Sequence, residues 1–304
     1  MDGGGPAMTT PFTADDEVDL SMFGKNLFAQ MQAGVHGIII GGSLGEASTI
    51  TTEEKEKLCK TALEICEEKI PVILNIVKGS LKQALQQIKF AEDWGVDDLM
   101  VLPPMRYKPD ERETIQWFQT IATTTALPIM LYNNSVDYEC EVTIEMFEKL
   151  ADCKNIQAVK ESTRDVSNVT RMKNRFGNRF KILCGVDMLA IEELLMGADG
   201  WVAGLVDVFP EETMAVYNLI KENKTEEARK IYRWFMPLLE LDIHPKLVQY
   251  IKLAQSLTAL GTEYVRSPRL MLAGEERERI LEIIEEAIAK KPAIHLSNIS
   301  ISEQ

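Results

Sequence analysis

Short, almost continuously apolar runs alternate with amphipathic stretches along most of this 304-residue chain. "PAMTTPF" precedes a helical pattern over 18–32, "HGIIIGG" one over 53–67, and "IPVILNIV" one over 81–94. "DLMVLPP" precedes a pattern over 112–123, and "LPIMLYNN" one over 144–150. "IQAVKES", "FKILCG" and "GWVAGL" continue the series, with helices predicted over 166–175, 188–195 and 211–222. Strands exposed on one face would alternate apolar and polar residues; near-continuous apolar runs are the mark of strands buried on both faces, as in a parallel sheet covered by helices. Eight strand–helix units with no compositional break predict an α/β fold, a (β/α)8 TIM barrel rather than an open doubly wound sheet. The barrel is expected over 6–222, with a helical C-terminal extension over 223–291 that packs on it. "MDGGG" (1–5) reads as a leader and 292–304 as a tail.

The composition narrows the class of partner. A net charge of −14, with no acidic tail and no basic block, argues against nucleic acid or an anionic membrane as a ligand. It leaves room for a small anion, because a site can be locally positive. No apolar run reaches the ~18 to 20 residues of a membrane span. The five cysteines are scattered, no CxxC occurs and the three histidines lie far apart, so no metal-site spacing is present. Reduced thiols and a cytoplasmic location are the expectation.

In a (β/α)8 barrel the chemistry sits at the C-terminal ends of the strands. In this chain those ends read Thr9-Thr10, Gly42-Ser43-Leu44-Gly45-Glu46, Asn75 with Lys78, Pro103-Pro104, Tyr132-Asn133, Lys160-Glu161, Gly185-Val186-Asp187 and Gly204. Lys160 is the one that needs explaining. A strand-end lysine ordinarily snorkels into water. In a barrel mouth it meets apolar surroundings, which disfavour the ammonium and lower its pKa from ~10.4, giving an amine able to attack a carbonyl or imine. Tyr132, one strand over, is placed to carry protons. Ser43 with the backbone N–H of Leu44 would suit a carboxylate, since hydroxyl and amide donors at a turn into a helix bind anions. Glu46 reads as a helix-cap or interface residue.

"TTPF", "GGSLGEASTITTEEK", "LPP", "LYNN" and "VKEST" fall in the order and spacing of the dihydrodipicolinate synthase / N-acetylneuraminate lyase superfamily, which nearly the whole chain resembles. The resemblance implies a Schiff base between Lys160 and a 2-oxo acid, proton transfer by Tyr132, and a substrate carboxylate held at Ser43 and Leu44. Thr10, Gly185 and Gly204 are the further substrate-binding positions. No cofactor is implied beyond that covalent Schiff base, and the assembly implied is a homotetramer, a dimer of dimers.

Departures from the pattern bear on the substrate. Dihydrodipicolinate synthases usually carry a second hydroxyl residue where Leu44 stands, and a tyrosine pair after the strand-4 prolines. Here "PPMRYKPD" puts Met105 and Arg106 at those places, with Tyr107 next, so Arg106 and Tyr107 are expected at the mouth or at a subunit contact. Those enzymes also use an arginine beyond the strand-5 tyrosine, where this chain has Asp137. The combination with "GWVAGLVDVFPEE" and "YRWFMPLLELDIHPKLVQYIKLA" looks most like the deaminases that act on 1-pyrroline-4-hydroxy-2-carboxylate, a cyclic imine, in hydroxyproline breakdown. The alternatives are a 2-keto-3-deoxy sugar acid dehydratase or aldolase, a 4-hydroxy-tetrahydrodipicolinate synthase, and a non-catalytic 2-oxo-acid sensor on the same fold.

Overall fold

The computed structural model describes residues 3–104 and 107–294. Eight strands, β1 (Gly3–Pro6), β2 (Ile38–Ile40), β3 (Val72–Ile76), β4 (Asp98–Val101), β5 (Ile129–Asn133), β6 (Ile156–Glu161), β7 (Lys181–Cys184) and β8 (Gly200–Ala203), pair in parallel. Their order runs β1-β8-β7-β6-β5-β4-β3-β2, and a parallel bridge between Ala7 and Ile39 joins β1 to β2 and closes the barrel. Helices α1 (Leu20–Gln32), α2 (Thr52–Cys66), α3 (Leu81–Trp94), α4 (Glu111–Thr124), α5 (Ser135–Tyr138) and α6 (Ile144–Leu150) cover the first half. α7 (Ser167–Phe176), α8 (Ala190–Leu195) and α9 (Pro210–Lys221) cover the second, and α10 (Thr225–Leu239), α11 (Leu247–Thr258) and α12 (Gly274–Ala289) follow the barrel. Among the described residues, no helix is long and apolar enough to cross a membrane.

The helix starts follow from local chemistry. Thr51 and Glu54 exchange side-chain and backbone hydrogen bonds in a capping box that opens α2, and Asp110 with Glu113 does the same for α4.

The first strand corrects the sequence reading. Gly3, Gly4 and Gly5, set aside there as part of a leader, are strand residues registered against Gly200, Trp201 and Val202 of β8. Three glycines are a poor strand by propensity. They are required by close approach: a Cβ on Gly5 would lie 2.1 Å from the carbonyl oxygen of Gly37, and one on Gly200 2.0 Å from that of Gly3. At this end of the barrel neighbouring backbones pack with no room for a side chain.

Two cores result. A large one fills the space between sheet and helices. A smaller one fills the lumen with Ile39, Ile73, Met100, Met130, Ala158, Leu183 and Val202, one residue from each of seven strands, with Ala7 just after β1. Residues two apart on a strand share a face. Tyr132 lies two beyond Met130 and Lys160 two beyond Ala158, so both point inward above this plug.

Candidate active site

Tyr132 and Lys160 are register partners across β5 and β6. The Lys160 Nζ lies 4.4 Å from the centre of the Tyr132 ring, and both residues are buried. Burial holds the Lys160 amine below the ordinary lysine range, because the ammonium is stripped of water; Asp242, then Tyr138 and Asp187, act the other way. The same desolvation pushes the Tyr132 phenol up to about 12. Its oxygen accepts a hydrogen bond from Asn134 Nδ2 at 3.1 Å, which leaves the phenolic proton free to donate. Ser162 Oγ is buried beside them with no hydrogen-bond partner of normal geometry, yet close enough to favour the ionised phenol.

These groups open into a cavity with about 90 Å³ of solvent-accessible space, lined by Ser43, Leu44, Gly185, Gly204 and others. Gly185 is dictated by the lysine. A Cβ there would stand 2.1 Å from Ser162 Oγ and 2.7 Å from Cε of Lys160, blocking the shaft of the nucleophile.

Thr10 does not line the cavity, contrary to the expectation that it binds substrate. Its buried hydroxyl donates to the carbonyl of Gly45 at 2.8 Å, bracing the turn that carries Ser43 and Leu44. Glu46 braces the same turn from the other side. It adopts φ of 55° and forms a fully buried ion pair with Lys252 of α11 at 2.6 Å, while its second oxygen accepts from the backbone N–H of Arg266 at 3.1 Å. The chain after the barrel thus fixes the turn that carries Ser43 and Leu44. Tyr107 is exposed and lies in a separate groove with Pro104, Arg112 and Trp117, outside the cavity. Arg106 lies outside the described residues, as does the C-terminal tail beyond residue 294.

Three cavity residues, Tyr138, Arg164 and Asp242, escaped sequence reasoning. Tyr138, at the end of α5, shares a 2.5 Å hydrogen bond with Ser43 Oγ and packs edge-on against Tyr132, ring centres 5.6 Å apart. Its phenol too is pushed up to about 12 by burial. Arg164, four residues past Lys160, turns back through a φ of 65° and faces Asp137 at 3.8 Å. Asp137 is in turn held by Asn134 Nδ2 at 2.7 Å. Asp242 comes from the 3-10 turn Glu240–Ile243 after α10. Asp187, at the strand-7 end, is buried and accepts from Trp201 Nε1 and the backbone N–H groups of Gly204 and Leu205, which fixes the end of β8.

The dihydrodipicolinate synthetase family model matches residues 2–287. The chain belongs to that family. Its members work through a covalent lysine Schiff base without an external cofactor. Among its relatives is the 4-hydroxy-tetrahydrodipicolinate synthase of Exiguobacterium sibiricum, 30% identical over 286 residues, which span 93% of this chain and 96% of the relative. The dihydrodipicolinate synthase of Thermotoga maritima superposes with a TM-score of 0.89 at 27% identity, covering 94% of this chain and 98% of that one. The corresponding protein of Aquifex aeolicus gives 0.89 at 26%, with coverage of 94% and 98%.

Proposed function

We propose that the chain is a Schiff-base lyase that deaminates a small cyclic imine carboxylate, 1-pyrroline-4-hydroxy-2-carboxylate. The observation that carries this reading is the charge on the cavity wall. One carboxylate grip, at Ser43 and Leu44, shares the cavity with two carboxylates, Asp137 and Asp242. Arg164, on the same wall, already faces Asp137 at 3.8 Å, so a second carboxylate on the substrate would have to displace Asp137, whereas an amine or a hydroxyl would meet acceptors.

The neutral amine of Lys160 adds to C2 of the imine, and the ring nitrogen leaves as a free amine on C5. Loss of a proton from C3 turns the lysine iminium into an enamine. The enamine electrons then expel the C4 hydroxyl as water, its extra proton coming from a phenol. Tyr132, with its pKa near 12, keeps its proton at neutral pH and is fitted to donate it. Tautomerisation produces an imine at C5. Hydrolysis there releases ammonia, and hydrolysis at C2 frees Lys160 and 2-oxoglutarate semialdehyde, so each turnover consumes one water net.

A second reading, 4-hydroxy-tetrahydrodipicolinate synthase, is favoured by the names of the relatives. It also has Arg164, whose 3.8 Å pairing to Asp137 is loose enough to be exchanged for an acceptor carboxylate. Ammonia release from the hydroxylated pyrroline, measured beside pyruvate and 2-keto-3-deoxygluconate controls, separates the readings. No ammonia from the pyrroline, with condensation of pyruvate and aspartate semialdehyde proceeding, would establish the second. In either case the reading carries with it a homotetramer in the cytoplasm, which sedimentation of the purified protein and cell fractionation would check.

A further inference from the structure

We infer that Asp242 is a further catalytic residue, the base that takes the proton from the carbon next to the Lys160 iminium. The inference rests on the Schiff-base reading of Lys160 and not on the identity of the substrate.

Asp242 belongs to no strand of the barrel. The turn Glu240–Ile243 brings it into the mouth from the helices that follow, and the absence of a side chain at Gly204 admits it. A Cβ on Gly204 would lie 2.7 Å from Asp242 Oδ1 and 3.5 Å from Leu44 Cδ2. The carboxylate therefore stands across Gly204 from the residue whose N–H is expected to hold the substrate carboxyl. A substrate gripped at Ser43 and Leu44, with C2 bonded to Lys160, extends its next carbon into the space that Asp242 borders.

The groups that face it leave its basicity available. Lys160, Asp187 and Asp137 are the charges that act on it, and it is the strongest charge acting on Lys160. Among the described residues its only hydrogen bond is a long one, 3.5 Å, from the Asp187 N–H to Oδ2. Asp137, by contrast, is engaged by Asn134 and Arg164. The phenols of Tyr132 and Tyr138 are acids at neutral pH. Burial, then Asp187, push Asp242 up to about 8, so it is largely protonated in the resting enzyme at neutral pH; a cation on the Lys160 nitrogen favours its ionised form, which is then a stronger base than an ordinary aspartate.

The step balances within the site. The C3–H electron pair becomes the C2=C3 bond of the enamine. The former C2=N pair moves onto the Lys160 nitrogen, which loses its positive charge, and the proton resides on Asp242. The carboxylate that faced a cation and the carboxylic acid that faces a neutral enamine are each matched to the partner of that moment.

Pyruvate in D2O tests this without the cyclic imine. The wild-type enzyme should exchange the pyruvate methyl protons for deuterium, read by proton NMR, and borohydride should trap pyruvate on Lys160. Asp242→Asn should keep trapping within a few-fold while exchange falls by about 100-fold or more. Asp242→Ser, smaller and also unable to take the proton, gives the same comparison should the asparagine variant misfold. Exchange at the wild-type rate in a variant that traps pyruvate would overturn the inference. So would loss of trapping in a variant with a native melting profile, because Asp242 would then serve the nucleophile. A wild-type enzyme that traps neither pyruvate nor the hydroxylated pyrroline would instead remove the Schiff base itself, and the inference with it.

Discussion

The floor of the cavity and its rim hold their side chains by different means. Lys160 and Tyr132 on the floor are placed by backbone: two adjacent parallel strands in register, each continuing an inward face already filled by Met130 and Ala158. Tyr138, Arg164 and Asp137 on the rim sit on a single-turn helix and a loop, tied by side-chain hydrogen bonds and one long ion pair. Asp242 reaches the rim from yet another part of the chain. A strand ladder fixes position with many cooperative bonds, whereas a rim of side chains can be re-lined one residue at a time. On the Schiff-base reading the floor supplies the nucleophile and the rim selects the molecule it meets, with Asp242 the one rim residue given a part in the reaction.

The largest effect should come from breaking the floor. Lys160→Arg keeps a cation and removes the nucleophile, since the guanidinium stays protonated at any accessible pH. Borohydride trapping and turnover should both vanish, with the mass increment on the Lys160 peptide seen only in wild type. Normal turnover in this variant would leave Lys160 a buried lysine with no part in the reaction. In the wild type, only the neutral amine attacks. Its pKa is lowered by burial, so the trapping rate should rise with pH and level off below the ~10.4 of a free lysine. A plateau at or above that value would mean that burial does not activate the amine.

Next comes Tyr132→Phe. The amine is untouched, so trapping should survive while turnover drops by roughly 100-fold. Equal loss of trapping and turnover would show that the phenol orients Lys160 instead of moving protons.

The same division explains what could be read from sequence. Lys160 and Tyr132 are legible because strand ends recur at the C-terminal side of apolar runs, and topology then brings those ends together. Ser43, Leu44, Gly185 and Gly204 follow for the same reason, and all four line the cavity. Thr10 also sits after a strand, but its hydroxyl turns toward Gly45, a direction that no strand-end rule specifies. The first strand was hidden because its glycines answer to the closeness of Gly37 and Gly200, which is a property of the closed barrel and not of the segment. Asp242 was hidden by distance along the chain: it lies well past the last strand, in a stretch whose apolar residues advertise only helix packing. Arg164 is four residues from Lys160, but only its left-handed backbone returns the guanidinium to the mouth.

The smallest effect expected sharpens the rim side of the comparison. Tyr138→Phe removes one hydroxyl, the partner of Ser43 at 2.5 Å, and leaves the ring packed against Tyr132. Ser43 is the side chain expected to meet the substrate carboxylate, so its proton must point at substrate while its oxygen is satisfied elsewhere. The Tyr138 phenol, held near 12 by burial, keeps its proton and can donate it to Ser43, which orients the serine proton toward the anion. Losing that orientation weakens one charge-assisted hydrogen bond, worth about a 10-fold change in affinity. The loss should appear in KM, with kcat nearly unchanged, because the bond is made equally before and during reaction. A fall in kcat at constant KM would instead make Tyr138 a proton donor to the leaving hydroxyl, and the boundary between a reacting floor and a selecting rim would have to be drawn one residue further out.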